Sequence, residues 1–190
     1  DGEAYFNGIN AHSVIQAAVD RITADTYTAK DASMYEQALA ANSRYFKDVK
    51  VLEVQSAGAT QTFAGNVDLT GVNALMITSD DATRYFNIDG SITGASSAVA
   101  GDLDHTIENA RFINGKYIGT TAALDGSIAL TLNNTGISEV LIADVAGSVS
   151  GSTTITLSEN SMVGKLYSNA ALDGADLILK NGATVGTVDF

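Results

Sequence analysis

The chain has 190 residues, 45% of them hydrophobic, which is enough to bury a core, so a formal net charge of −12 does not signal disorder. Ten Lys and Arg, scattered singly among 22 Asp and Glu, form no basic stripe that could track phosphates, which argues against nucleic acid and anionic lipid as partners. Cysteine is absent, and with it disulfide frameworks and cysteine-ligated zinc or iron–sulfur centres.

Charged residues make up 17% of the chain, below the roughly 25% of ordinary domains. Thr, Ser, Asn, Ala and Gly take their place, a composition that suits repetitive β structure with many tight turns. Proline is also absent. Interior strands of a stacked ladder need every backbone N–H, so proline fits poorly there. No apolar run approaches the roughly 18 residues of a membrane span, and no membrane insertion of this segment is expected. No leader pattern opens the chain, so for an exported protein Asp1 follows a removed leader or the sequence starts internally.

Residues 1–48 read as an N-terminal α-helical cap. Asn10 is placed to cap a first helix whose apolar positions, Val14, Ile15, Ala18, Val19 and Ile22, follow helical spacing. Asp25-Thr-Tyr-Thr28 reads as a short connection. A second helix starts at the capping box Thr28-Ala-Lys-Asp31, with Met34, Tyr35, Ala38, Leu39, Ala41, Tyr45 and Phe46 on its apolar face. Two helices with one apolar face each are suited to cover the first rung of a stack.

From residue 49 the period becomes that of strands. Val49, Val51, Leu52 and Val54 open the β region, and Phe63, Val67, Leu69, Val72, Leu75 and Ile77 follow in pieces divided by Gly65, Gly71 and Asn73. Tyr85-Phe-Asn-Ile88 leads into an Asp89-Gly90 turn and then Ser91-Ile-Thr-Gly94. Residues 95–101 are small and weakly patterned and read as a loop. Ile107, Phe112, Ile113, Tyr117 and Ile118 resume strands around an Asn114-Gly115 turn.

Three later stretches repeat one pattern: Leu124-Asp-Gly-Ser-Ile-Ala-Leu-Thr-Leu132, Val149-Ser-Gly-Ser-Thr-Thr-Ile-Thr-Leu157 and Leu172-Asp-Gly-Ala-Asp-Leu-Ile-Leu179. Each continues, after a polar interval, with a second apolar element: Ile137-Ser-Glu-Val140, Val163-Gly-Lys-Leu166 and Val185-Gly-Thr-Val188. Gly126, Gly151 and Gly174 recur at intervals of 25 and 23 residues, the period of a solenoid coil. A β-sandwich also shows strands every 8–12 residues and stays as the alternative fold. The leading expectation for residues 49–190 is a mainly β, right-handed parallel β-helix of about six coils, roughly 29 Å tall at about 4.8 Å per rung. Its inward positions are expected at Leu130, Leu132, Val140, Ile142, Ile155, Leu157, Leu166, Ile178, Leu179 and Val188.

Chemistry is harder to find. His105, flanked by Asp102, Asp104 and Glu108, reads either as a metal ligand or carboxylate-oriented general base, or as part of a solvated acidic loop. His12 reads as surface or cap. Asp80, Asp81, Asp102 and Asp104 are oxygen-ligand candidates for Ca²⁺, although their spacing resembles neither an EF-hand loop nor the glycine-rich calcium-binding nonapeptide. Gly-x-Ser-x-Gly does not occur, and Gly147-Ser-Val-Ser-Gly151 lacks the lysine of a phosphate loop. Asp125 and Asp173, with Ser150 between them, recur at equivalent positions and are explained first by turn geometry rather than by glycosidase chemistry. Tyr85, Phe86, Phe112 and Tyr117 are either a carbohydrate-stacking strip or core, and Asn133-Asn-Thr135 matches a glycosylation acceptor. No catalytic residue and no cofactor is expected.

The run Gly147-Ser-Val-Ser-Gly-Ser-Thr-Thr-Ile-Thr-Leu157, continued by Met162-Val-Gly-Lys-Leu-Tyr167, resembles the repeats of bacterial surface β-helix proteins of the autotransporter passenger and adhesin type. Ile107-Glu-Asn-Ala-Arg-Phe-Ile-Asn-Gly115 is similar to the strand, Asn, strand, Asn-Gly phrases of the same proteins. The resemblance is compositional and covers roughly residues 105–190, while the helical N-terminal segment departs from it. It implies export, a place on the bacterial cell surface, and a contact with a protein or glycan on a host or neighbouring cell. It carries over no functional residue.

The expected function is therefore that of a non-enzymatic, extracellular bacterial β-solenoid, an adhesin or structural surface module. Its partners would be surface proteins or glycans, or further copies or repeats of itself stacked on an open C-terminal coil. The alternative is a polysaccharide-active β-helix enzyme, a lyase, hydrolase or phage-type depolymerase, which would need several carboxylates converging in one groove.

Overall fold

A computed structural model of the chain describes residues 5–6, 9–10, 26–29, 51–56, 62–64, 66–69, 74–79, 85–144 and 148–190. Those residues are mainly β, with no helix among them, and the parallel sheets they form wind into a β-solenoid of about four turns.

The first side is a seven-stranded sheet. Its strands, in spatial and chain order, are Thr26–Ala29, Val51–Ser56, Ala74–Ser79, Leu103–Glu108, Ile128–Asn133, Thr153–Ser158 and Ala175–Leu179. Each pairs in parallel with the next, as one rung of a coil does with the following one. The third side is short: Val99–Ala100, Ala123–Asp125 and Ser148–Val149 stack in parallel, and Leu172 adds a single bridge to Val149. A sandwich built from hairpins would be antiparallel. Among the described residues the antiparallel pair is Tyr5–Phe6 with Ile9–Asn10, across the two residues Asn7 and Gly8.

The second side changes along the stack. Its early coils carry two short strands each: Thr62–Ala64 and Val67–Asp68, then Phe86–Asp89 and Ile92–Ala95, then Ala110–Asn114 and Tyr117–Thr120. Both short stacks then pair with one long strand, Gly136–Ala143, followed by Met162–Tyr167 and Thr184–Asp189. The cause is length. Arg111 and Tyr117 are six positions apart, while their partners Gly136 and Val140 are four apart, so the later coil has no residues left for a bend. Asn114-Gly115, expected as a turn, is the bend of the earlier coil, joining strands that stack in parallel on their neighbours rather than on each other. Gly115 sits at φ +81°, and a Cβ there would lie 2.3 Å from the Gly90 backbone, so glycine is required.

Alternation along the strands sends every second side chain inward, as in Thr153–Ser158, where buried and half-buried positions alternate. Inward residues form columns. One runs Leu75, His105, Leu130, Ile155, and its neighbour runs Ile77, Ile107, Leu132, Leu157. Ile92, Tyr117, Val140 and Leu166 meet them from the second sheet, and Leu124 and Val149 from the third, all buried. Fully burying such a side chain stabilises by roughly 1.5–3 kcal/mol, and here most of that cover comes from the rungs above and below.

Three expectations change. The strand Thr26–Ala29 spans most of the expected connection Asp25–Thr28 and the start of the expected capping box Thr28–Asp31, because β-branched and aromatic residues favour an extended rung. Asn10, read as a helix N-cap, lies in a strand, and the rest of the two expected helices lies outside the described residues. Ile178, expected inward, pairs with Thr156 in an outward column, and Leu177 takes the inward place beside Ile155. The corner before it is one residue shorter, with Leu172 to Ala175 matching Val149 to Thr153. A one-residue slip exchanges the faces of a strand.

Candidate functional site

The corners of the coils carry the polar residues that a search for chemistry would select. After the first side, Asn109, Asn134, Glu159 and Asn181 occupy one column with φ of 50°, 46°, 49° and 49°, the left-handed region that Asn tolerates best. Asn134 Nδ2 donates to Asn109 Oδ1 at 2.8 Å, and Asn181 Nδ2 donates to Glu159 Oε1. Below them, the buried Thr135 hydroxyl shares its one proton between the Ile107 and Asn133 carbonyls, and the Ser161 hydroxyl reaches the Leu132 carbonyl in the same way one rung on.

The corner acids behave alike. Asp102 Oδ1 accepts from the Ser127 backbone N–H at 2.8 Å, Asp89 Oδ1 from Asn114 Nδ2 at 2.8 Å, and Asp144 Oδ1 from Asn169 Nδ2 at 3.0 Å. Asp125, Ser150 and Asp173 do fall at equivalent positions, and Ser150 Oγ donates to Asp125 Oδ1 at 2.9 Å. Two rungs therefore separate the two aspartates, about 9.6 Å at the usual spacing, with a serine filling the interval.

His105 is neither in a loop nor solvated. It lies in the strand Leu103–Glu108, fully buried, at a column position held by Leu75, Leu130 and Ile155 in neighbouring rungs. Its Nδ1 is 2.7 Å from Tyr117 Oη, and the two rings meet edge to face with centroids 5.8 Å apart. Gly94 makes the room, since a Cβ there would approach His105 Cε1 to 3.0 Å and the Gly119 carbonyl to 2.5 Å. Burial pushes the Tyr117 hydroxyl well above the ordinary tyrosine range. The alternation of Asp104, Thr106 and Glu108 outward with His105 inward is the signal by which the sequence places this histidine in the core.

The outer face of the second sheet holds the cations. Arg111 stacks on the Tyr85 ring with Cζ 3.4 Å from its centroid, and its Nη1 donates to the Ala110 and Asn134 carbonyls at 2.7 Å each. Burial lowers its pKa, and the Tyr85 partnership opposes that shift. Lys116 Nζ donates to Tyr167 Oη at 3.1 Å and lies 3.6 Å from Glu139 Oε2, while Tyr167 Oη donates to the same carboxylate at 3.1 Å. The Tyr167 hydrogen bond is the main cause that raises the Lys116 pKa; partial burial opposes it, and Glu139 adds to it. Lys165 lies over the Tyr167 ring and pairs with Asp189.

Of the aromatics weighed as a carbohydrate strip, Phe112 and Tyr117 are core and Tyr85 lies under Arg111; the Phe86 side chain is outside the described residues. Asp102 and Asp104 are exposed, and Asp80, Asp81 and His12 lie outside the described residues. Among the described residues no three His, Cys, Asp or Glu side chains gather in a group fit for a metal. The Asn133-Asn-Thr135 acceptor is closed within the stack, with Asn133 Nδ2 bonded to Glu108 and Thr135 buried. No helix among the described residues is long and apolar enough to cross a membrane.

No family model matches the chain, and neither a curated protein nor a solved structure matches it.

Proposed function

We propose that the chain is a non-enzymatic, extracellular bacterial β-solenoid that works by presentation, as an adhesin segment or structural module of the cell surface. A right-handed winding, about six coils in all and a helical cap within residues 1–48 belong to the same reading. The observation that supports it most is the use of the polar groups. Corner acids, amides and hydroxyls bond from rung to rung instead of converging on a common point. Glycoside hydrolysis needs two carboxylates roughly 5–9.5 Å apart with open space between them, whereas Asp125 and Asp173 are separated by Ser150. A rigid stack held in this way offers flat faces to a protein or glycan partner: Thr106, Thr131 and Thr156 in one outward column, and Lys116, Glu139 and Tyr167 on the second sheet.

Antibody labelling of intact and of permeabilised source cells tests the location, and binding of the purified chain to surface proteins and glycans tests the role. Labelling of intact cells together with saturable binding is expected. Labelling only after permeabilisation would overturn the reading. Polysaccharide cleavage that disappears in Asp125→Asn or Asp173→Asn would replace it with the polysaccharide-active one.

A further inference from the structure

We infer that Arg111, with Ile113 and Met162 beside it, forms a docking patch for a protein partner that presents one carboxylate among apolar side chains. The inference deepens the presentation reading above by naming a site and the chemistry it takes. Its first support is an arginine held in place without an acid. Nη1 donates to the Ala110 and Asn134 carbonyls, and Cζ lies 3.4 Å from the Tyr85 ring centroid. Two of the five N–H groups are used in this way, while those on Nε and Nη2 make no hydrogen bond among the described residues. The lysines of the same face are paired, Lys116 with Glu139 and Lys165 with Asp189, whereas among the described residues no carboxylate pairs with Arg111. The side edge of a guanidinium matches the two oxygens of a carboxylate, and a side chain already fixed has little freedom left to lose on binding.

The second support is what surrounds the cation. Ile113 lies two residues on in the same strand and is 56% exposed. Met162 stands two rungs along the column Arg111, Gly136, Met162 and is 55% exposed. Gly136 raises no side chain between them, and a Cβ there would come within 2.9 Å of Arg111 Cδ, so the arginine stem lies across bare backbone. Both apolar residues belong to coils with a rung on either side, so their exposure does not come from the end of the chain. Arg111 and Met162 are about 9.6 Å apart at the usual rung spacing, the reach of about three residues of an extended segment.

Charge selects the class of partner. The chain carries −12, so a polyuronate glycan, with an acid on every sugar, is repelled along its length. A protein segment brings a single carboxylate and covers it with its own apolar neighbours, which strengthens the ion pair by excluding water. The Tyr85 ring, which a sugar could stack on, is already taken by Arg111, while Arg and Met are residues enriched in protein interfaces.

The experiment follows the Arg111 Nε–H and Met162 methyl resonances of the full chain during titration with acetyl-Leu-Glu-Leu-amide. Saturable shifts of both are expected. The glutamine counterpart of the peptide, and acetate alone, should bind at least about tenfold more weakly, the loss of one charge-assisted contact. Arg111→Lys keeps the charge but not the fork and should weaken the glutamate peptide by roughly the same factor. Because Arg111 also ties two carbonyls, Ile113→Ser/Met162→Ser is the second variant: at exposed positions it leaves the fold intact by circular dichroism and should weaken the peptide too. Absence of shifts, equal binding of the glutamine peptide, or indifference to both variants would overturn the inference. Tighter binding of trigalacturonate than of the peptide would overturn it in favour of an acidic glycan. Cell labelling is read separately, so peptide binding by a chain found only inside cells would refute the proposed function and leave this inference standing.

Discussion

The coil built on Thr153–Ser158 and Met162–Tyr167 and the coil after it, built on Ala175–Leu179 and Thr184–Asp189, match strand for strand, with Ile155 against Leu177, Leu157 against Leu179 and Leu166 against Val188. The side chains are of similar size and the columns are the same. One set is sealed; in the other Leu179 and Val188 stand open to solvent and Leu177 is half-buried against the core. In this fold, then, an apolar residue is buried by having a rung on both sides, not by its position in the repeat. Stability is a property of neighbouring coils, and it falls toward any coil that lacks a neighbour.

The sharpest way to break that comparison is truncation of matched leucines. Leu157→Ala leaves a hole between Leu132 and Leu179 and is expected to cost about 2–5 kcal/mol in denaturant unfolding, whereas Leu179→Ala in the single chain costs under about 1 kcal/mol. Equal losses would show that the last coil is as well supported as the interior.

Overfilling the interior comes next. Gly94→Ala places a Cβ 2.5 Å from the Gly119 carbonyl and against His105, and a loss of about 1–3 kcal/mol is expected in the same assay.

Tyr117→Phe removes the partner of His105 Nδ1 in the sealed interior, with an expected loss of about 1–3 kcal/mol near neutral pH. It also changes the alkaline limb of the stability curve. Burial raises the folded-state pKa of Tyr117 above that of the unfolded chain, so the unfolded state releases its proton first as pH rises. This contribution is fully present below the ordinary tyrosine value of about 10 and is lost as pH climbs from there toward the folded-state value. Unfolding curves at stepped alkaline pH should show a shallower decline in Tyr117→Phe than in the wild type.

The smallest effect has the opposite sign. Thr153 occupies an inward column with Leu103 and Ile128, and its buried hydroxyl has no hydrogen-bond partner among the described residues. Thr153→Val should raise stability by about 1 kcal/mol, read as a higher denaturation midpoint.

Where the repeat is strict, the sequence could be read directly. Leu130, Leu132, Val140, Ile142, Ile155, Leu157 and Leu166 all point into the core as their spacing indicates, because two residues per pleat leave one choice of face once a single position is known. Ile178 misleads for the same reason. Asp176-Leu-Ile-Leu179 offers three consecutive apolar residues, and the missing corner residue that decides which of them face inward is visible only when the rungs are paired. His105 was hidden by composition, since three nearby acids suggest a solvated loop until alternation puts them outside and the imidazole inside. The Tyr85–Arg111 and Lys116–Tyr167–Glu139 clusters join residues 23 to 51 positions apart and leave no local signal. Thr26–Ala29 shows a limit of another kind, because a capping pattern outweighed four residues whose rung partner lies in the next coil.

Native-state amide exchange, read at a dilution where sedimentation shows single chains, tests most directly whether neighbouring rungs supply the stability. Protection should rise from Ala175–Leu179 and Thr184–Asp189 through Thr153–Ser158 and Met162–Tyr167 to Ile128–Asn133 and Gly136–Ala143. Protection in the last coil equal to that of Ile128–Asn133 would contradict the account.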